Sequence, residues 1–145
     1  MAKVLVVYAT RTNSTQEIAD LVAEGIRFSG HEVVVADVKD IKSEAQFEGY
    51  DGYVFGSPTY HGEMLQSMKT MLFLAEKASL EGKVGGAFGA HGWSTEAQDR
   101  IYNTMKEIFK MDMVKGPLLL KSAGLGGGIQ MAQEYGREIG DKLRS

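Results

Sequence analysis

Blocks of apolar and polar residues alternate along this chain in a way that predicts strands and helices in turn. Residues 4–9 form a continuous apolar run, which is typical of a parallel strand covered on both faces. A helix with one buried stripe is predicted to follow from about Gln16. The residues of that stripe are Ile18, Leu21, Val22 and Ile26. His31 lies beside the glycine that ends this helix, and we expect it at the surface.

The same alternation recurs along the rest of the sequence. Further strands are predicted at residues 32–38, 52–57, 84–90 and 118–120, and a short irregular helix at residues 43–47. Three longer helices are predicted from apolar stripes, namely Met64, Leu65, Met68, Met71, Leu72 and Ala75; Ala97, Ile101, Met105, Ile108 and Phe109; and Ala132, Tyr135, Ile139 and Leu143. A flexible glycine-rich connection is expected at residues 124–128. The second strand is partly alternating, so we expect it at a sheet edge.

This alternation of strands and helices with short links predicts an α/β fold. We expect one domain over residues 1–145, with a parallel sheet between two layers of helices. The strand at residues 84–90 is unusually rich in glycine, with Gly85, Gly86 and Gly89. Glycines within a strand often mark close approach by a helix or a ligand, and we expect that here.

Composition narrows the function classes. With 145 residues, of which 43% are apolar and 24% charged, the chain can form a full core. A net charge of −3 without basic patches argues against nucleic-acid binding. The absence of cysteine excludes disulfides, thiolate metal sites and a cysteine nucleophile. No signal peptide is recognised, and no apolar run approaches the roughly 18 residues of a membrane span, so we expect a cytoplasmic protein.

The stretch between the first strand and the first helix is rich in hydroxyl groups. Its sequence is Thr10-Arg11-Thr12-Asn13-Ser14-Thr15. Free N–H groups and the positive dipole end at the helix start would face any ligand held there. The side chains add donors without a full counter-charge, so we expect this stretch to bind phosphate. An ordinary helix cap by Asn13 or Ser14 would explain the same residues.

The type of phosphate ligand is narrowed by what this stretch lacks. It has neither the Gly-Lys-Ser/Thr of a P-loop nor the G-x-G-x-x-G of a dinucleotide site, so a monophosphate is favoured. In a doubly wound sheet, the loops after strands one, three and four meet at the switch point in strand order. Two of these loops carry aromatic residues, Tyr60 and Trp93. A flat conjugated ligand with a phosphate tail suits this arrangement.

These three loops together resemble those of the flavodoxin family, and the resemblance covers the whole chain. Residues 8–15 are similar to the family's Thr-x-Thr-Gly-Asn-Thr phosphate loop, although Asn13 stands where glycine is usual and Ser14 where asparagine is usual. Asparagine tolerates a left-handed backbone, so the turn can survive. Residues 56–64 resemble the third-strand loop of flavodoxin-like quinone reductases and flavo-diiron proteins, and residues 87–94 resemble the fourth-strand loop of flavo-diiron proteins.

The resemblance implies a short-chain flavodoxin that binds FMN without a covalent bond. The implied fold is a flavodoxin-like three-layer sandwich with a five-stranded parallel sheet of order 2-1-3-4-5. The implied FMN-binding residues are Thr10, Arg11, Thr12, Asn13, Ser14, Thr15, Ser57, Pro58, Thr59, Tyr60, His61, Gly62, Ala90, His91, Gly92 and Trp93. Trp93 is expected to stack on one face of the flavin, with either Tyr60 or His61 on the other. No catalytic residue is expected of an electron carrier. No metal site is expected either, because His61 and His91 are too few and lack a carboxylate pattern.

Two further residues are expected to tune the flavin. The fully reduced flavin is an anion, so a partly dry site and a nearby carboxylate such as Glu63 would disfavour it and lower the second one-electron potential. Gly62 would let a peptide of the third-strand loop rotate, so that a carbonyl accepts a hydrogen bond from N5–H of the half-reduced flavin.

Electron transfer is the leading function that the resemblance implies. We expect a low-potential carrier, monomeric, that docks transiently on redox partner proteins. The alternative is an NAD(P)H-dependent quinone or flavin reductase, but those relatives usually have longer chains with insertions, which are absent here. A response-regulator receiver needs acidic residues where Thr10 and Ser57 stand, and a phosphatase-like reaction needs a cysteine, so both are rejected.

Overall fold

Helices and strands alternate throughout the computed structural model, which describes residues 2–91, 94–121 and 127–144. The strands are β1 (Lys3–Tyr8), β2 (Glu32–Asp37), β3 (Gly52–Gly56), β4 (Val84–Ala90), β5 (Asp112–Met113) and β6 (Leu118–Leu120). The α-helices are α1 (Ser14–Phe28), α2 (Gln66–Lys77), α3 (Glu96–Asn103) and α4 (Gly128–Arg144). Short 3₁₀-helices occupy Val38–Asp40 and Glu44–Phe47, and a π-helical turn at Thr104–Ile108 extends α3.

All strand pairs are parallel, and the sheet order is β2-β1-β3-β4-β5, with β6 also paired to β4. The predicted order is therefore confirmed, and β2 lies at an edge as expected. The fifth position of the sheet differs from the prediction because it is divided into two segments. The prediction found the segment at residues 118–120 but missed β5, since two residues are too few to show a periodic pattern.

Two tyrosines close the gap between β5 and β6. The Tyr102 hydroxyl donates to the carbonyl of Val114 and accepts from the N–H of Gly116. The Tyr135 hydroxyl donates to the carbonyl of Gly116 at 2.9 Å and accepts from the N–H of Ala87 at 3.1 Å. Ala87 belongs to β4, so Tyr135 supplies the partner that an unbroken fifth strand would have provided. Burial raises the pKa of Tyr135, which keeps this hydroxyl protonated.

The sheet is buried on both faces, which explains the continuous apolar run at its centre. Successive residues of β1 point to opposite sides: Val4 and Val6 pack in the core that includes α1 and α4, whereas Leu5 and Val7 pack in the core that includes α2 and α3. No helix in the described ranges is long and apolar enough to cross a membrane.

Helices α1 and α4 pack with their backbones in close approach. A Cβ atom added to Gly25 would lie 2.0 Å from the carbonyl oxygen of Gln133, so only glycine permits this crossing. The Gln133 side chain also donates to the carboxylate of Glu24 at 3.2 Å. These contacts fix the position of α1, whose first two residues, Ser14 and Thr15, are the last two of the hydroxyl-rich stretch.

The prediction that His31 lies at the surface is wrong, because its side chain is buried and bonded on both ring nitrogens. Nδ1 accepts from the N–H of Ala2 at 3.0 Å, and Nε2 lies 3.0 Å from the carbonyl oxygen of Gly140. Since Nδ1 accepts, the proton is on Nε2, which donates to Gly140. His31 therefore joins the first strand to α4.

Predicted helix boundaries also need correction. Ile108 was placed on a buried stripe but is 58% exposed, because the π-helical turn alters the helical phase that the prediction assumed. Helix α2 begins at Gln66 rather than Met64, since Leu65 has an extended backbone. Gly128 is the first residue of α4 rather than part of the connection before it.

Candidate functional site

The hydroxyl-rich stretch forms a tight turn between β1 and α1. Asn13 precedes the helix with φ of 69°, the left-handed conformation expected of it in place of glycine. Its side chain makes no capping hydrogen bond, and the Ser14 hydroxyl is 3.3 Å from that of Thr12, so neither caps the helix in the ordinary way. The first N–H groups of α1 thus remain available to a ligand.

Two threonine hydroxyls in this turn are buried without a hydrogen-bond partner among the residues that the structure describes. They belong to Thr10 and Thr15, and the Thr15 residue is only 1% exposed. A buried hydroxyl without a partner costs about 1–3 kcal/mol of folding free energy. A ligand with several acceptor oxygens would satisfy both groups and would also meet the positive end of the α1 dipole, so the residues fit a phosphate.

A cleft of about 380 Å³ opens beside these hydroxyls. Its walls comprise Thr10, Arg11, Thr12, Ser14, Thr15, Pro58, Thr59, Tyr60, Ala90, His91 and Lys121. Ten of these belong to the predicted binding set, and Lys121, from the end of β6, is an addition that only the sheet order reveals. Asn13, Ser57, His61 and Gly62 lie off the walls. The predicted residues Gly92 and Trp93 lie outside the described residues.

The loop after β3 lines one wall of the cleft through Pro58, Thr59 and Tyr60, and a tight turn begins at Tyr60. Tyr60 and Glu63 exchange two backbone hydrogen bonds, of 2.7 and 3.0 Å, and both residues between them have positive φ, 51° for His61 and 75° for Gly62. This is the pattern of a type I′ turn. Tyr60 lines the cleft, whereas His61 does not, and the two rings form a T-shaped pair with centroids 4.3 Å apart. The geometry therefore favours Tyr60 as the aromatic residue that faces a ligand. Rotation of the peptide at Gly62 stays a prediction.

Gln98 connects two walls of the cleft from inside the core. Its side chain is fully buried, and its amide nitrogen donates to the carbonyls of Ser57 at 2.7 Å and Ala90 at 3.2 Å. Its oxygen accepts from the Thr59 hydroxyl at 3.0 Å, and that hydroxyl accepts in turn from the N–H of Ala97. Both polar atoms of the Gln98 side chain therefore form hydrogen bonds that connect the loop after β3 to the end of β4.

The sequence prediction missed Gln98, although one signal was available. It is the polar residue beside Ala97 at the start of the apolar stripe of α3. Gly89 makes room for it: a Cβ at this position would lie 2.1 Å from the Ser57 oxygen and 2.5 Å from the Gln98 amide nitrogen. The close approach predicted for the glycines of β4 is thus confirmed here.

Glu63 does not act as the free carboxylate that the sequence suggested. Its two oxygens contact Lys69 at 2.5 Å and Arg100 at 3.1 Å, and it is not on the cleft wall. The hydrogen bond from Lys69, followed by the charges of Lys69 and Arg100, lowers the pKa of Glu63. Glu63 ties the turn after β3 to α2 and α3, and its charge is balanced by two cations.

The charged residues that do line the cleft are cationic. Arg11 and Lys121 are on its walls, and no described wall residue is a carboxylate. The Arg11 guanidinium carbon lies 4.0 Å from the centroid of the Tyr60 ring, a cation–π contact across the cleft. No group of three or more histidine and acidic side chains able to hold a metal ion occurs within the described ranges.

Comparison with known proteins identifies the family of this chain. The sequence model of the family described as Flavodoxin matches residues 6–137. The chain belongs to the flavodoxin family. A flavodoxin from Clostridium saccharobutylicum is 30% identical over 126 residues, which is 87% of this chain and 76% of that protein. A solved archaeal flavodoxin superposes with a TM-score of 0.89 at 27% identity and 99% coverage of both chains.

Flavodiiron proteins are also similar in structure to this flavodoxin. The Flv1 flavodiiron core from Synechocystis sp. PCC6803 superposes with a TM-score of 0.91 at 23% identity, covering 99% of this chain but only 36% of that one. Several curated relatives are likewise much longer proteins, of which this chain spans a quarter or less. The cofactor of the family is FMN, so this flavodoxin is an FMN-dependent electron-transfer flavoprotein, and the orphaned hydroxyls of its cleft fit that cofactor's phosphate.

Proposed function

We propose that this flavodoxin is a one-electron carrier that docks transiently between redox enzymes, with FMN held at the cleft between the β1, β3 and β4 loops. The observation that carries the proposal is the pair of buried hydroxyls of Thr10, before α1, and Thr15, in its first turn, neither of which has a hydrogen-bond partner in the part of the chain that the structure describes. They lie where a ligand phosphate would satisfy them. We further propose that residues 1–145 act as one flavodoxin-like domain, as a monomer and in the cytoplasm.

In this proposal each loop has a separate task. Hydroxyl and N–H groups of the turn at residues 10–15 bind the phosphate. Tyr60 stacks on the flavin from the β3 loop, and Trp93 does so from the β4 loop. Gln98 holds the β3 loop against β4 through its hydrogen bonds to the carbonyls of Ser57 and Ala90. FMN, when bound, supplies the redox chemistry, and the protein orients it and limits its contact with water.

A low second potential is part of the proposal, which keeps one of the two expected causes, the partly dry site, and drops the nearby carboxylate. Glu63 is balanced by Lys69 and Arg100, and no carboxylate is found among the described walls of the cleft. The remaining cause is exclusion of water, which disfavours an anionic reduced flavin. The carrier is therefore expected to have a second one-electron potential set by burial rather than by acidic neighbours.

The proposal is tested by identifying the bound flavin and the reaction that it supports. The purified protein should take up FMN more tightly than riboflavin, with mass analysis showing FMN rather than FAD. It should pass electrons to a one-electron acceptor after reduction by a chemical reductant or a reductase. FAD as the bound flavin, or no binding after reconstitution, would contradict the cofactor assignment.

The quinone-reductase alternative predicts a different result in the same preparation. Rapid NAD(P)H oxidation that depends on added quinone would show that the protein is a quinone reductase rather than an electron carrier. A mutant of the cleft that abolishes FMN binding, for example Thr10→Val combined with Thr15→Val, should remove either activity and serves as the control.

A further inference from the structure

The charged side chains on the described walls of the cleft are cations, whereas the sequence suggested a carboxylate, Glu63, near the flavin. Arg11 and Lys121 lie on the cleft walls, while Glu63 is off the walls and paired with two cations. The segments 92–93 and 122–126 contain no ionisable side chain, so they add no charge to the cleft. An anionic ligand in the cleft would therefore be stabilised by the positive charges of Arg11 and Lys121.

Arg11 is the better positioned of the two cations. It comes from the loop after β1, and its guanidinium lies over the ring of Tyr60, which comes from the loop after β3. This contact holds the guanidinium at the Tyr60 ring on the cleft wall, although the Arg11 residue is exposed to solvent. Arg11 forms no ion pair with any carboxylate of the described residues, so its charge is not neutralised as that of Arg100 is by Glu63 and Glu96.

We propose that Arg11, held over the cleft by Tyr60, is a redox-tuning residue that raises the second one-electron potential of the bound flavin. The inference rests on the proposed function, since it requires FMN in this cleft. In the second step, the neutral one-electron-reduced flavin accepts one electron from a redox partner without a proton and becomes an anion. A nearby cation stabilises that anion more than the neutral form, and only such a difference between states shifts an equilibrium. Arg11 thus opposes the lowering caused by exclusion of water.

The test compares Arg11→Met with Arg27→Met by spectroelectrochemical titration of the flavin-loaded protein. Methionine keeps an unbranched side chain over Tyr60 and removes the charge. Arg27 is exposed in the last turn of α1, so its variant changes the net charge equally at the far end of the same helix. We expect Arg11→Met to lower the ratio of fully reduced to half-reduced flavin at a fixed potential at least threefold, which is about 30 mV for a one-electron couple. Arg27→Met should leave the ratio unchanged.

Salt and ligand choice separate tuning from phosphate binding. The effect of Arg11→Met should shrink at about 1 M salt, where charges are screened beyond about 3 Å. It should persist when riboflavin replaces FMN, because riboflavin has no phosphate. A potential that is unchanged in Arg11→Met, or a shift seen with FMN but not with riboflavin, would overturn the proposal.

Arg11→Lys provides a second route should Arg11→Met bind flavin poorly. Lysine keeps the charge but not the planar guanidinium, so this variant should retain most of the second potential of the original protein. A shift in Arg11→Lys as large as in Arg11→Met would show that the charge is not the cause. Failure of the unmodified protein to bind FMN would instead refute the proposed function, and that binding is measured before any variant is titrated.

Discussion

Replacing Thr15 with valine should change the free protein and its FMN complex in opposite directions. The Thr15 side chain is buried, and its hydroxyl has no partner among the described residues. Valine has nearly the same shape and is also β-branched, so the packing of α1 is retained while the hydroxyl is removed. The substitution therefore isolates the contribution of one polar group.

General hydrogen-bond energies give the size of each effect. Removing an unpartnered buried hydroxyl should stabilise the flavin-free protein by about 1–3 kcal/mol. The same hydroxyl, when it donates to a charged phosphate, is worth about 1.5–3 kcal/mol, so FMN should bind roughly 10- to 150-fold more weakly to Thr15→Val. Riboflavin affinity should change little, because riboflavin lacks the phosphate.

Denaturant unfolding of the flavin-free protein and titration with both flavins measure these quantities. Thr12→Val is the matched control: Thr12 is exposed and its hydroxyl already contacts that of Ser14, so no gain in stability of the flavin-free protein is expected. Destabilisation of the flavin-free protein by Thr15→Val, or equal weakening of riboflavin and FMN binding, would contradict the phosphate-binding role of the Thr15 hydroxyl.

Three other residues give shorter tests. Gln98→Met should destabilise the protein by about 1–3 kcal/mol, because the Ser57 carbonyl loses its buried donor, and flavin affinity should fall with it; unchanged unfolding and binding would remove Gln98 from the site. The lowered pKa of Glu63 means that its ion pairs stabilise the protein above pH about 4.5 and are lost as pH falls further; Glu63→Gln should make stability less steep in that acid range, and an identical pH profile would contradict this. Trp93 is the only tryptophan, so its fluorescence should be quenched by bound flavin and recover on flavin removal, whereas constant emission would place it away from the ring.

The features predicted from the sequence are those determined by local patterns. The apolar run of β1 and the apolar stripe of α1 identify a strand and a helix. The hydroxyl-rich residues between them indicate the turn at which the helix begins. The left-handed backbone of Asn13 was expected because Asn13 stands where the phosphate loop of the flavodoxin family usually has glycine. The sheet order was implied by the resemblance to the flavodoxin family, and the meeting of the three loops follows from the general rule for switch points in parallel sheets.

The features that were missed depend on partners far away in the chain. Nothing beside His31 in the sequence shows that Ala2 and Gly140 would bond its ring, and nothing beside Glu63 shows that Arg100 would balance it. Gln98 is polar, and only the arrival of the β3 and β4 loops at its amide group explains its burial. Such contacts are set by tertiary packing, which periodic patterns do not contain.

The close packing of α1 against α4 has a consequence for the order of folding. Glu24 and Gln133, which join the two helices, are 109 residues apart, so this contact closes a long loop. At a synthesis rate of about 5–20 residues per second, α4 leaves the ribosome roughly 5–20 s after α1. During that time the turn before α1 has been synthesised, but α1 does not yet pack against α4. FMN should therefore bind late in folding, only after the whole sheet has been assembled.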